Sequence, residues 1–298
     1  SRAGRAQRLG APGPPGSGKA TLVEQAAVWC RRQGADRVAV LAVDPSSPFS
    51  GVASLGDRIR MRDLAGDPGV FVRSMASRGA LGGLARRTGE LIEALDAAGY
   101  DRVFIETVGA GQAEVDIART ADTTIVVEAP GMGDDVQALK AGILEIADIL
   151  VVNKADLAGA AATERALKGS LELAHRPPES WTPPVVATVA ETGQGIETLM
   201  EAVDRHRAWL RASGEGQARL RTRSAGRLDD ELRHALTDRF RRGLSDGRYE
   251  AALTAVLERR RTPAQAADEL IRGGDRIPGR RLPAGRRQQE GDDGHSAG

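Results

Sequence analysis

The chain has 298 residues, 41% of them hydrophobic, enough for one substantial buried core and a smaller appended element. Its 42 lysines and arginines stand against 41 acids, so no global field marks nucleic acid or a membrane surface as partner. A lone cysteine, Cys30, excludes an internal disulfide. No apolar run reaches the roughly 18 to 20 residues of a membrane span and no secretory leader precedes the first motif, so the sequence reads as cytoplasmic.

The first ten residues read as a truncated or degenerate N-terminal segment, because Arg8-Leu9-Gly10-Ala11-Pro12 is a weak strand in which proline removes a ladder donor. Gly13-Pro14-Pro15-Gly16-Ser17-Gly18-Lys19-Ala20 follows, a phosphate-binding loop complete through its lysine. Glycines at this spacing turn successive backbone N–H groups inward, and a helix from about Lys19 to Arg32 adds the positive end of its dipole. Lys19 bridges terminal phosphates in such a loop. Ala20 stands where a serine or threonine hydroxyl ordinarily ligates Mg²⁺. Thr21 lies about 100° further round the helix and is a poor substitute.

Apolar runs at Val38 to Val43, Val103 to Ile105, Thr124 to Val127, Ile149 to Val152 and Val185 to Thr188 alternate with helical stretches around Leu55 to Leu64, Leu81 to Ala98, Asp134 to Ile146, Ala160 to Ala174 and Ile196 to Leu210. That alternation predicts an α/β fold, a mostly parallel sheet wrapped by helices, and the phosphate loop ahead of it makes the expected fold of the P-loop NTPase kind. The nucleotide-binding domain is expected over residues 11–212. Past Ser213 the pattern turns to charged helices without strands, Leu228 to Arg241 and Tyr249 to Arg260, a helical arm over 213–272 of the kind that packs against its own domain or against a second copy. Residues 273–298 are Gly/Arg/Asp-rich with almost no apolar side chains and are expected to be disordered.

Several strand ends carry chemistry. Asn153-Lys154-Ala155-Asp156 follows a strand at the carboxyl edge where such sheets bind ligands. Asp156 is placed to accept from N1–H and the 2-amino group of guanine, Lys154 to cover the ring, and Asn153 to tie this loop to the phosphate loop. Adenine would leave the carboxylate unpaired. Glu106-Thr107-Val108-Gly109 ends another strand, with Glu106 able to hold Mg²⁺ through water or orient an attacking water, and the Gly109 N–H able to sense the γ-phosphate. Asp44 ends the strand Val38 to Val43. Asp57 starts a helix, as a metal ligand or as a partner of the helix dipole. Ala190, after the last strand, offers its N–H to the guanine oxygen or sits in an ordinary turn.

Five strings carry a family resemblance: A-V-D-P-S-S-P-F-S-G from Ala42, L-G-D-R-I-R-M from Leu55, R-S-M-A-S-R-G-A-L-G-G-L from Arg73, E-T-V-G-A-G-Q-A-E-V-D from Glu106, and K-A-G-I-L-E-I-A-D-I-L-V-V-N-K-A-D from Lys140. From Gly13 to Ile271 the chain resembles the MeaB/ArgK-like GTPases, chaperones of methylmalonyl-CoA mutase and related cobalamin-dependent acyl-CoA mutases. The resemblance implies a GTP-binding P-loop domain, a homodimer built partly by the C-terminal arm, and GTP hydrolysis, slow without the partner, coupled to mutase protection and cofactor loading. It also implies that Asp44, Asp57 and Glu106 surround Mg²⁺ and the attacking water, with Lys19, Asp44 and Glu106 as the catalytic group. Residues Gly131 to Lys140, including Asp134 and Gln137, match the family's extra switch. Three departures stand out: Ala20, Val52 in place of a second glycine after Ser50-Gly51, and the absence of the helices that usually precede the loop. Two other readings are a nucleotide-binding module with impaired hydrolysis, and a metal-insertion GTPase, whose Cys/His ligands this chain lacks.

Overall fold

The structure is a computed structural model that describes residues 6–35, 37–44, 64, 66–76, 83–107, 119–131, 145–173, 177, 179–245 and 247–273. Among these residues seven strands form one sheet: β1 (Gln7–Ala11), β2 (Val38–Asp44), β3 (Val70–Ala76), β4 (Arg102–Thr107), β5 (Thr123–Glu128), β6 (Ile149–Val152) and β7 (Val185–Ala187). Their order is β3-β2-β4-β1-β5-β6-β7, and every neighbouring pair is parallel. Strands β5 and β6 are buried throughout, as the unbroken apolar runs of a sheet covered on both faces require.

Helix α1 (Lys19–Arg32) turns Leu22, Val23, Ala26, Ala27 and Cys30 inward, a stripe at helical spacing. Together with α4 (Ile196–Ala212), whose Leu199, Met200 and Val203 are fully buried or nearly so, it covers the face carrying Leu9, Val40, Phe104, Val127 and Val151. On the opposite face α2 (Gly83–Ala97) places Ile92 and Leu95 on Leu41 and Ile105. There α3 (Ala160–Leu173) sets Leu167 on Val126 and Leu150. The α/β fold expected from the alternation is the one found.

Three details differ from the sequence reading. The segment before the phosphate loop is a regular strand rather than a weak one, lying between β4 and β5 in the middle of the sheet. Pro12 falls just past its last residue, where it removes no ladder donor, and its carbonyl accepts the Val127 N–H at 2.9 Å. Strand β3 went unread because Arg73 and Ser74 interrupt its apolar run; an edge strand tolerates them, and Val72 is 37% exposed. Helix α5 (Glu215–Gly243) starts well before Leu228 and has no buried residue. The helices expected around Leu55 to Leu64 and Asp134 to Ile146 fall mostly outside the described residues.

By contacts the chain divides into residues 1–225 and 226–298, the division falling within α5. In the first unit the start of α5 is clamped to the amino-terminal edge of the sheet. Arg219 donates to Asp148 Oδ1 at 3.0 Å, and Arg223 to Asp122 Oδ1 at 2.9 Å and Ala121 O at 3.1 Å. Asp148 is 4% exposed and also accepts the Thr124 N–H at 2.8 Å, while His206 Nε2 lies 3.3 Å from it. The second unit holds the rest of α5 with α6 (Arg248–Leu257) and α7 (Pro263–Gly273), where Ala266 is buried and Arg248 donates to the Gly273 carbonyl at 2.7 Å.

Candidate nucleotide site

The site is assembled at the carboxyl edge of the sheet, and the loop between β1 and α1 is its floor. Gly13 has φ 147°, and a Cβ there would lie 2.1 Å from the Val127 carbonyl oxygen. No residue but glycine lets the loop run this close to β5. Gly18 caps α1 with φ 83° and no side-chain cap, and the first helical turn contains no acid. The N–H groups and positive dipole end of α1 are therefore left for an anion. Lys19 is 5% exposed and bends back over the loop, its Nζ donating to Gly13 O and Pro14 O, both at 2.7 Å. Ser17 spends its hydroxyl on Pro14 O at 3.0 Å.

The second wall follows β6. Asn153 is 1% exposed, and its Nδ2 donates to Ser17 O at 2.9 Å and Gly18 O at 3.5 Å. Its Oδ1 accepts from Thr188 Oγ1 and from the Ala190 N–H, both at 3.1 Å. One amide thus ties the loops after β1, β6 and β7 together. A Cβ on Gly18 would come within 2.4 Å of that Nδ2, so the contact excludes any other residue there. Lys154 has φ 55°, a left-handed backbone held by its surroundings, and its Cε lies 3.8 Å from the same built position, which places its stem beside the phosphate loop. Asp156 is exposed.

Around this floor the expected residues are distributed unevenly. Glu106, 6% exposed, is the last residue but one of β4, in register with Ala11, the last residue of β1. Asp44 ends β2 at the same edge, one residue beyond Val43, which pairs with Thr107. Pro15, Gly16, Ala20 and Thr21 follow the loop into the first turn of α1. Asp57, Gly109, Asp134 and Gln137 lie outside the described residues. The Ala190 N–H, expected to face the guanine oxygen or to sit in an ordinary turn, donates to Asn153 Oδ1 as the second donor to that buried amide oxygen beside Thr188. Sequence reasoning passed over Thr188, fully buried, whose hydroxyl sets which way the Asn153 amide points. A small hydroxyl residue two positions before Ala190, at a strand end, was the available signal.

A glycine-rich loop on the central strand of a parallel sheet, with a buried lysine folded across it, places the chain among the P-loop nucleotide hydrolases. Residues 1–244 match the family described as Methylmalonyl Co-A mutase-associated GTPase MeaB, and the chain belongs to that family. It is 46% identical over 279 residues to a "Putative GTPase" of Pyrococcus horikoshii, covering 93% of this chain and 86% of that one. It is 34% identical to the mitochondrial methylmalonic aciduria type A homolog of Mus musculus, over 89% of this chain and 65% of that protein. Among solved structures, one titled LAO/AO transport system kinase superposes with a TM-score of 0.66 at 30% identity, covering 91% of this chain and 82% of its own. A Helicobacter pylori HypB structure shares the fold alone, with a TM-score of 0.50 at 18% identity. The protein is a GTP-hydrolysing, GTP-binding enzyme.

Proposed function

We propose that this GTPase is the chaperone of a cobalamin-dependent acyl-CoA mutase of the methylmalonyl-CoA mutase kind, and that it couples GTP hydrolysis to protection of the mutase and loading of its cofactor. The observation that carries the reading is the match of residues 1–244 to a family described by its association with that mutase. The site supports the guanine half: Asp156 is exposed beside a loop that Asn153 fastens to the phosphate cradle.

In this reading Gly13 to Gly18 and Lys19 hold the phosphates, Asp156 reads the base, and Lys154 covers it. The carboxylates of Asp44, Asp57 and Glu106 would hold Mg²⁺, whose hard-oxygen preference suits them; Glu106 is buried on β4, in register with the residue that ends β1 before the loop. Mg²⁺ supplies charge neutralisation on the transferring phosphoryl group. Glu106 and Asp44 orient the attacking water, Ala20 contributes no ligand, and turnover without the partner is slow. Ala190 reaches the base by sharing or exchanging its bond to Asn153.

The arm over 213–272 builds a cytoplasmic homodimer. Leu228, Leu232 and Leu236, spaced four apart on α5 and 62%, 50% and 65% exposed, support it, since such a stripe on a helix with no buried residue suits a second helix. The test of partner coupling is GTP turnover with and without a cobalamin-dependent mutase. Acceleration by the mutase, reduced in Gln137→Ala while nucleotide binding is kept, is expected. An unchanged rate, with complex formation confirmed by co-elution, rules the coupling out.

A further inference from the structure

The buried amide of Asn153 has its hydrogen-bonding capacity filled at both ends. A side-chain amide oxygen accepts two hydrogen bonds and its NH₂ group donates two. Oδ1 takes the Thr188 hydroxyl and the Ala190 N–H, each at 3.1 Å, while Nδ2 donates to Ser17 O at 2.9 Å and Gly18 O at 3.5 Å. The two donors to Oδ1 are not equivalent. The Ala190 N–H is the group given to the guanine oxygen in the reading proposed above, on which this inference rests. The Thr188 hydroxyl is fully buried.

Thr188 is anchored on its other sides. Its N–H donates to Val152 O at 2.9 Å, and its carbonyl accepts the Ala155 N–H, inside the N-K-x-D turn, at 3.0 Å. Its methyl packs beside Gly195, the left-handed cap of α4, since a Cβ built on that glycine would stand 3.2 Å from Thr188 Cγ2. Backbone and methyl fix the residue, and the one proton of its hydroxyl goes to Asn153.

A guanine oxygen at Ala190 competes with Asn153 for the same N–H. When the base draws that donor away, the Thr188 hydroxyl remains on Oδ1. Without it the amide oxygen would be buried with no donor, at a cost that offsets the new bond to the base. The amide would also be free to turn and release the Ser17 and Gly18 carbonyls. We infer that Thr188 is a positioning residue for guanine selectivity: its hydroxyl keeps the Asn153 oxygen satisfied while the Ala190 N–H turns to the base, so the phosphate-loop tie and the base contact hold together.

The test compares GDP with its thioguanine analogue, in which sulfur, a weak acceptor, replaces the base oxygen while the N1–H and 2-amino donors stay. Calorimetry is run on the parent, Thr188→Val and Thr188→Ser. Valine keeps the shape and the methyl without the hydroxyl, and serine keeps the hydroxyl without the methyl. The parent should prefer GDP to the thio analogue. In Thr188→Val, GDP should weaken about tenfold and the analogue hardly at all, so the preference collapses, whereas Thr188→Ser should retain it. A Thr188→Val protein that keeps the parent's ratio, or loses both affinities equally, overturns the inference and leaves the Ala190 contact standing. Loss of the preference in Thr188→Ser also overturns it. No preference in the parent removes the Ala190 contact, and the inference with it. Should Thr188→Val fail to fold, NMR of the folded parent decides: the Thr188 hydroxyl proton should stay protected from solvent exchange in the GDP complex, and rapid exchange there overturns the role.

Discussion

At the scale of single residues, two positions in the nucleotide site make opposed statements. Asp156 is exposed after a strand, and in the proposed reading it reads the base, so Asp156→Asn, which turns an acceptor into a donor, should favour XTP and weaken GTP by about a hundredfold or more in competition binding. Equal affinity of the parent protein for ATP and GTP would remove the role given to this carboxylate. Ala20 lies in the first turn of α1 with no hydroxyl to give. One missing ligand of about six leaves nucleotide binding to the backbone N–H groups and Lys19. A metal held less well weakens stabilisation of the transferring phosphoryl, and a loss of about 10- to 100-fold corresponds to roughly 1.4 to 2.7 kcal/mol. Single-turnover hydrolysis by Ala20→Ser should therefore run about tenfold faster than the parent or more. A rate no higher at saturating Mg²⁺ means that the other ligands already hold the metal. Both positions are legible in the amino-acid sequence, since the loop spacing and the N-K-x-D string are local patterns. Thr188 is not, because its importance comes from touching Asn153, 35 residues earlier.

Among the elements, strand β6 joins two distant tasks. The residue just before it, Asp148, is clamped by Arg219, and the residue just after it, Asn153, holds the phosphate loop. Asp148→Ala strips the buried Thr124 N–H of its acceptor and should cost about 2 to 3 kcal/mol. Arg219→Ala should cost about 1 kcal/mol, because that guanidinium is partly solvated. The two in combination should cost less than their sum, read from urea unfolding, since they share one interaction. Additivity would mean that the clamp carries no coupling. Charge pattern alone could not show this anchor, as arginines at i and i+4 on a polar helix ordinarily read as a solvated face. Likewise β3 is legible only once β2 is seen to present an edge for it.

For the whole molecule, the proposed dimer has a direct check. Light scattering should give twice the monomer mass at micromolar concentration, and deletion of residues 226–273 should return the monomer mass while GTP binding in the first unit persists. A monomer with the arm intact would sink the proposal. The fold class, the ligand and the family could all be read in sequence order, because phosphate loops, buried parallel strands and the guanine motif are written in neighbouring residues whose spacing is set by backbone geometry. Tertiary structure alone decided which distant groups meet. It put β1 at the centre of the sheet, committed the Ala190 N–H to Asn153, and tied α5 to Asp148 and Asp122. The hydrogen-bonded pairs among these stand 37 to 101 positions apart in the chain, so only packing, and no local periodicity, specifies them.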